Sequence, residues 1–214
     1  MKKLCIFDFD GTLFDSVSDV VECFNMTLEI HNLPTLTRDE YLECLGGNID
    51  EIISLVLKDN DTCEIHEKVK KTYLDLYNSS KKEATVPFPH AHETLRELQE
   101  MGMLLALNSN RLSYSLRYFT DLFFQDIDFV LIEGHDPDFP SKPNPYGVNR
   151  IIRKADVTPE EAVYIGDSKT DIATAKNAGI DCIIVKWGYG NSADWENDYV
   201  LAAVDEFSQM LNYF

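Results

Sequence analysis

Leu4-Cys5-Ile6-Phe7-Asp8-Phe9-Asp10-Gly11-Thr12-Leu13 is the stretch that most constrains what this chain can fold into. An apolar run of strand formers delivers two aspartates, two positions apart, onto a glycine turn. Asp8 is expected where a buried strand ends, and Asp10 in the turn just beyond it. In open α/β sheets, ligands bind outside the carboxyl ends of the strands. Two carboxylates this close are costly to bury unless a cation or a proton separates them. The pattern points to a divalent-metal site, to a nucleophile beside an acid/base, or to both. The bland reading of the same residues is an acidic turn that caps a strand.

After Leu13 the rhythm becomes helical. Val17, Val20, Val21, Phe24 and Leu28 follow helical spacing, with Asp15 or Ser16 as a cap. Thr37-Arg38-Asp39-Glu40 reads as a capping box before Tyr41, Leu42 and Leu45, and Gly46-Gly47 ends that helix. Ile49, Ile52, Ile53, Val56 and Leu57 mark a third helix, and Ile65, Val69, Tyr73, Leu76 and Tyr77 a fourth. Residues 15–84 therefore read as all helical, and Thr85-Val86-Pro87-Phe88-Pro89 breaks the pattern as a boundary would.

Beyond that break, helices and strands alternate. Helices are expected over 91–101, 113–122, 146–154 and 168–178, with strands over 104–107, 129–132, 162–165 and 182–185. Alternation at this spacing implies a parallel sheet covered on both faces. The helical block is then an insert that interrupts the sheet domain just after its first strand. Residues 1–14 and 85–214 form the core domain in this reading.

Charge narrows the partners. The 214 residues carry a formal net charge of −18, which argues against nucleic acid or an anionic membrane surface. A small phosphorylated substrate stays compatible, because a bound divalent cation reverses the sign locally. Cys5, Cys23, Cys44, Cys63 and Cys182 are scattered, odd in number and without a CxxC pair. That usage suits a reduced cytoplasmic chain better than a disulfide framework or a zinc site. The N-terminal apolar run meets Asp8 at once and is too short for a signal peptide, and no run is long enough to span a bilayer.

Four strand ends carry candidate chemistry. The first gives Asp8 and Asp10, the second Ser109 and Asn110. The loop after Ile132 gives Lys142, in Ser141-Lys142-Pro143-Asn144-Pro145. The fourth gives Asp167, with Asp171 at the first turn of the next helix. In a parallel sheet all four loops emerge on one edge. Asp8, Asp10 and Asp167 supply hard oxygen ligands suited to Mg²⁺, which keeps water and substrate phosphate in its shell. Ser109 offers a hydroxyl and nearby backbone N–H groups to a phosphate oxygen. Lys142 offers a point charge, and Pro143 and Pro145 stiffen the loop that aims it. Each has a plain alternative: a turn serine, a solvated lysine, and an Asp171 that complements a helix dipole.

Taken together and in order, these residues resemble the haloacid dehalogenase superfamily. Asp8-Phe9-Asp10-Gly11-Thr12 looks like its first motif, Ser109 its second, Lys142 in Lys-Pro-Asn-Pro its third, and Gly166-Asp167-Ser168-Lys169-Thr170-Asp171 its acidic fourth. The insert after the first motif is similar to the helical cap of the phosphoglycolate phosphatase and β-phosphoglucomutase subgroup. The sequence departs at Asn108-Ser109-Asn110-Arg111, where relatives commonly show Thr-Asn-Lys. The resemblance implies a Rossmann-like, three-layer α/β core with a parallel sheet, carrying an all-helical cap. It implies a Mg²⁺-dependent phosphatase acting on a phosphoglycolate-like or sugar phosphate, as a monomer or homodimer. Asp8 would form an aspartyl-phosphate, and Asp10 would serve as acid and then base. Asp8, the Asp10 backbone carbonyl and Asp167 would hold the metal, with Asp171 supporting it. Asn110, Gly46 and Gly47 would contact phosphate or substrate.

Two rivals remain at this point. A phosphomutase of the β-phosphoglucomutase type usually carries a histidine soon after the Asp-Gly turn, but the first histidine here is His31. A phospho-receiver-like signalling domain shares the residue types, yet carries its phosphorylated aspartate after the third strand and lacks a large helical insert.

Overall fold

The structure is a computed structural model and describes all residues 1–214. It contains eight strands: β1 (Leu4–Phe7), β2 (Phe14–Asp15), β3 (Val86–Pro87), β4 (Leu104–Leu112), β5 (Phe129–His135), β6 (Ala162–Gly166), β7 (Asp181–Val185) and β8 (Val200–Val204). The helices are α1 (Val17–Ile30), α2 (Arg38–Leu42), α3 (Ile49–Leu57), α4 (Cys63–Ser79), α5 (Ala91–Glu100), α6 (Ser113–Phe123), α7 (Tyr146–Ala155), α8 (Lys169–Ala178), α9 (Ser192–Trp195) and α10 (Phe207–Met210).

Two compact units divide the chain. Met1–Phe14 with Pro87–Phe214 make the sheet unit, and Asp15–Val86 make the helical unit. The sheet has six parallel strands in the order β5-β4-β1-β6-β7-β8. β1 is central because its four residues are all buried and every side chain can pack. Cys5 and Phe7 point to a layer that includes Leu95, Leu98, Leu116 and Phe119 from α5 and α6. Leu4 and Ile6 point to Val148, Ile151, Ile172 and Ala175 from α7 and α8. That alternation makes three layers, helix on sheet on helix.

The topology reverses at β1, with β4 and β5 on one side and β6, β7 and β8 on the other. Such a switch point is where open α/β sheets form ligand crevices. Register completes the arrangement. Phe7 lies opposite Leu107 on β4 and Ile165 on β6, so the residues that follow all three emerge together.

The helical unit has its own core, in which Phe24, Tyr41, Ile53, Val69 and Tyr73 are buried together. Phe24 and Tyr73 stack with ring centroids 3.9 Å apart. The capping box at Thr37 closes on Glu40 as its spacing predicts. A second box, Asn48 with Glu51, starts α3. Ser16 stands at the N-cap of α1 without a side-chain cap hydrogen bond. Gly46 takes φ +105°, a conformation favouring glycine, and a side chain at Gly47 would strike Glu51, which closes the α3 box. So the glycine pair has a structural reason to exist within its own unit.

The strands differ from the sequence reading in several places. β4 runs on through Leu112, and its pairing with β5 is irregular between Asn108 and Leu112. β5 runs on to His135, and β2, β3 and β8 are additional strands; β8 lies at the sheet's edge with only Val204 buried, so its pattern is weak. No helix is long and apolar enough to cross a membrane.

Candidate active site

The site starts from β1. Asp8 follows the last strand residue, and its N–H donates to the Ile165 carbonyl at 2.8 Å, which extends the ladder by one step. Its side chain is buried, 2.8 Å from Lys142 Nζ. Lys142 Nζ also lies 2.7 Å from Asp171 Oδ1. Burial pushes the Asp8 carboxyl up to about 7, with Asp171 adding to the rise and Lys142 opposing it. Burial alone would lower the Lys142 ammonium, but Asp171 and Asp8 hold it well above an ordinary lysine.

Lys142 reaches this place by way of Asn110. The Lys142 N–H donates to Asn110 Oδ1 at 2.8 Å, and Asn110 Nδ2 donates to the Lys142 carbonyl at 3.1 Å. The Asn110 carboxamide, expected to face phosphate, is therefore engaged in aiming the lysine loop. The pairing irregularity in β4 spans Ser109, Asn110 and Arg111. A break of this kind turns side chains out of strict alternation, a common device beside functional sites. The Ser109 hydroxyl accepts from the Arg111 N–H at 3.2 Å.

Asp171 lies in the first turn of α8 and is fully buried. Its Oδ2 accepts from the Asp167 N–H and the Ser168 N–H at 3.1 Å, and from Ser168 Oγ at 2.9 Å. One carboxylate thus shapes the Asp167 turn, caps the helix and pairs with Lys142. Asp167 is buried beside it, and its Oδ2 accepts the Tyr189 N–H at 2.6 Å. Burial, then Asp171 and Asp8, raise the Asp167 carboxyl well above its ordinary range. The backbone around Asp167 is close enough that a side chain at Gly11 or Gly188 would collide with its carboxylate.

Asp8, Asp167 and Asp171 bring carboxylate oxygens within 4.8 Å of one another. With all three ionised, the buried carboxylates exceed the single Lys142 ammonium by two negative charges, the repulsion that helps raise Asp8 and Asp167. A hard divalent cation fits both the donor type and the charge.

Asp10 turns elsewhere. Its carboxylate accepts from Arg111, with Nε 3.1 Å from Oδ1 and 3.0 Å from Oδ2, and Nη2 2.5 Å from Oδ1. The structure gathers Asp8, Lys142, Asp167 and Asp171 in direct contact or near-contact, with Ser109 and Asn110 on the adjoining strand. Gly46 and Gly47 belong to the helical unit instead. The sequence reading missed two features. One is Arg111, whose signal was its place directly after Ser109-Asn110. The other is Trp187-Gly188-Tyr189-Gly190, whose paired glycines follow β7. The indole Nε1 of Trp187 donates to the Thr12 carbonyl at 3.0 Å, tying this loop to the Asp10 turn.

A family model described as haloacid dehalogenase-like hydrolase matches residues 5–185. The chain belongs to the haloacid dehalogenase-like hydrolases. Among curated relatives of this hydrolase is a phosphoglycolate phosphatase of Vibrio vulnificus (strain CMCP6), 31% identical and covering 98% of this chain and 95% of the relative. Another is a phosphoglycolate phosphatase of Aquifex aeolicus (strain VF5), 29% identical, covering 98% and 97%. A haloacid dehalogenase-like hydrolase of Bacteroides fragilis superposes with a TM-score of 0.91 at 27% identity, covering 98% of this chain and 100% of that one. The enzyme class expected from the sequence stands: this hydrolase is a phosphatase, acting on phosphoric monoesters. The receiver-like alternative falls with the family assignment.

Proposed function

We propose that the chain hydrolyses a small phosphorylated metabolite, phosphoglycolate-like or a sugar phosphate, through a phosphoryl-Asp8 intermediate. The observation that supports this most is Asp8 itself, buried at the end of the central strand and 2.8 Å from the Lys142 ammonium. A carboxylate held there is aimed by the sheet and steadied by a cation.

In this reading Asp8 Oδ attacks phosphorus, and the bond from phosphorus to the leaving oxygen breaks. Asp10 gives a proton to that oxygen. Asp10 then takes a proton from water, whose oxygen attacks phosphorus and releases Asp8 and inorganic phosphate. Lys142 and the Ser109 hydroxyl bind the phosphoryl oxygens throughout. Asp8, Asp167 and the Asp10 carbonyl would hold Mg²⁺, which would supply neutralisation of the carboxylates and the phosphoryl oxygens. The helical unit is the cap in this scheme, with Gly46-Gly47 its candidate substrate loop. The mutase alternative lacks support: His31 Nε2 sits 2.8 Å from Thr72 Oγ1 inside the helical unit, a local bond between α1 and α4.

The test is phosphate release from a panel of phosphate monoesters. Release should occur with Mg²⁺, stop in EDTA and return on adding Mg²⁺. No release from any member would sink the reading.

The carboxylates should also divide by role. Asp171 has both oxygens engaged by protein donors, whereas Asp167 accepts the Tyr189 N–H through Oδ2. Asp167→Ala should therefore weaken Mg²⁺ affinity more than Asp171→Ala does, by calorimetry. Asp171→Ala should lower the melting temperature more, because it strands donors and opens the α8 cap. The opposite ranking of the two affinities would exchange the roles.

The loop after β7 makes its own prediction. Gly188→Ala drives a methyl group against the Gly11 carbonyl oxygen and against Asp167. Mg²⁺ affinity should fall about tenfold or more, the scale of lost support around a metal ligand. Unchanged affinity would show that the loop yields without moving Asp167.

A further inference from the structure

We propose that Arg111 reads a second anionic group on the substrate: bound to Asp10 in the free protein, it exchanges that carboxylate for the carboxylate of a small phosphorylated hydroxy acid. The inference rests on the phosphatase reading and names the class of leaving group that reading leaves open.

The guanidinium is built into place. Its carbon lies 5.2 Å from the centre of the Phe9 ring and 5.6 Å from that of Phe119. Nη1 donates to Ser115 Oγ at 3.1 Å, and the Arg111 side chain is only 8% exposed. The rings and the serine fix the plane, and the edge carrying Nε and Nη2 is turned to a carboxylate. A planar fork held this way matches carboxylate geometry and loses little freedom on binding one.

The carboxylate it holds is the one that the proposed reaction needs elsewhere. Asp10 must face the leaving oxygen, yet three N–H contacts from Arg111 hold its oxygens. A carboxylate arriving with the substrate can take that fork and release Asp10. The reach is suitable. A leaving oxygen within about 3 Å of Asp10 sits near the guanidinium, and a carboxyl carbon two bonds away spans about 2.5 Å more. The exchange of one carboxylate for another is nearly balanced in itself. Discrimination comes from the alternative: a neutral leaving group either leaves Asp10 held or strands a largely buried guanidinium. The chain's overall charge of −18 opposes anionic ligands, so recognition of a second anion has to be local. Lys142, between Asp8 and Asp171, is taken by the phosphoryl oxygens in this scheme and is not left for a second anion. A sugar phosphate offers hydroxyls here and gains nothing from the fork.

The experiment compares wild type, Arg111→Gln and Arg111→Lys on phosphoglycolate and glycerol 3-phosphate. Wild type should favour phosphoglycolate in kcat/KM. Arg111→Gln should reduce that preference tenfold or more, chiefly through KM for phosphoglycolate, and Arg111→Lys should fall between. If Arg111→Gln fails to fold, Arg111→Lys carries the comparison, because it keeps the charge but loses the fork. Calorimetry in the Asp8→Asn background with Mg²⁺ supplies a readout without turnover. There, adding Arg111→Gln should weaken phosphoglycolate tenfold or more and inorganic phosphate less than twofold. Equal losses on both esters, or unchanged phosphoglycolate affinity, would overturn the proposal. Release from neither ester nor any other member of the monoester panel would overturn the phosphatase reading instead, and the calorimetry would still decide the role of Arg111.

Discussion

Asp8→Asn should abolish turnover and leave the fold intact. The amide keeps the shape of the carboxylate but cannot form the acyl phosphate, so the first chemical step is lost. Loss of an essential nucleophile is expected to cost about 10⁴-fold or more in kcat. Stability should move little, or upward. The Asp8 carboxyl is pushed to about 7 by burial and then by Asp171, so its ionised form is penalised in the metal-free protein. A carboxylate raised above its unfolded value contributes most below the unfolded pKa, near 3.8, and that contribution is lost as pH climbs to about 7. In EDTA at pH 8 the asparagine variant should therefore melt at or above the wild type. Single-turnover assays and thermal melts check the two halves. Beryllofluoride should bind the wild type and not the variant. Full activity in the asparagine variant would remove the covalent mechanism, whatever its stability.

Much of this site was legible because its residues sit where period and punctuation change together. Asp8 closes an apolar run, Ser109 and Asp167 each follow one, and Asp171 occupies a helix's first turn. Those are local signals, and a parallel sheet turns them into neighbours. Less legible were contacts made by the backbone of one loop with the side chain of another. Nothing in Tyr189 as a residue type says that its N–H will hold Asp167; only the flanking glycines hint that the chain passes close to something. The resemblance gives Asn110 a contact with phosphate or substrate; its carboxamide also bonds the Lys142 backbone where the pairing of β4 is irregular, and strand irregularity has no short sequence signature. Arg111 is visible in the sequence only as the last residue of the departure Asn108-Ser109-Asn110-Arg111. Its meaning depends on Phe9, in the turn after β1, and on Ser115 and Phe119 of α6, far from it in sequence. Strand order was likewise beyond local pattern, and it is the order β4-β1-β6 that makes three strand ends adjacent.

Lys142→Met should be the most damaging change that removes no carboxylate. The methionine keeps the stem's bulk and deletes the charge, so the effect isolates electrostatics from packing. Two ion pairs vanish together, since Nζ lies 2.8 Å from Asp8 and 2.7 Å from Asp171. Removing one partner of a buried pair typically costs about 3–5 kcal/mol, because the remaining charge is left uncompensated. Activity should fall by about 10³-fold or more, from lost support of the nucleophile and of the phosphoryl oxygens. The stability deficit should depend on metal. In EDTA the three carboxylates would face one another with no cation, and the gap to wild type should be widest. Saturating Mg²⁺ restores a cation to the carboxylate cluster and should narrow the gap, as binding to the folded state alone stabilises it. Urea titrations of both proteins, with EDTA and with Mg²⁺, measure the two gaps directly. A gap of equal size in both conditions would mean that Lys142 stabilises the loop through contacts other than charge, and would separate its structural role from the carboxylate cluster.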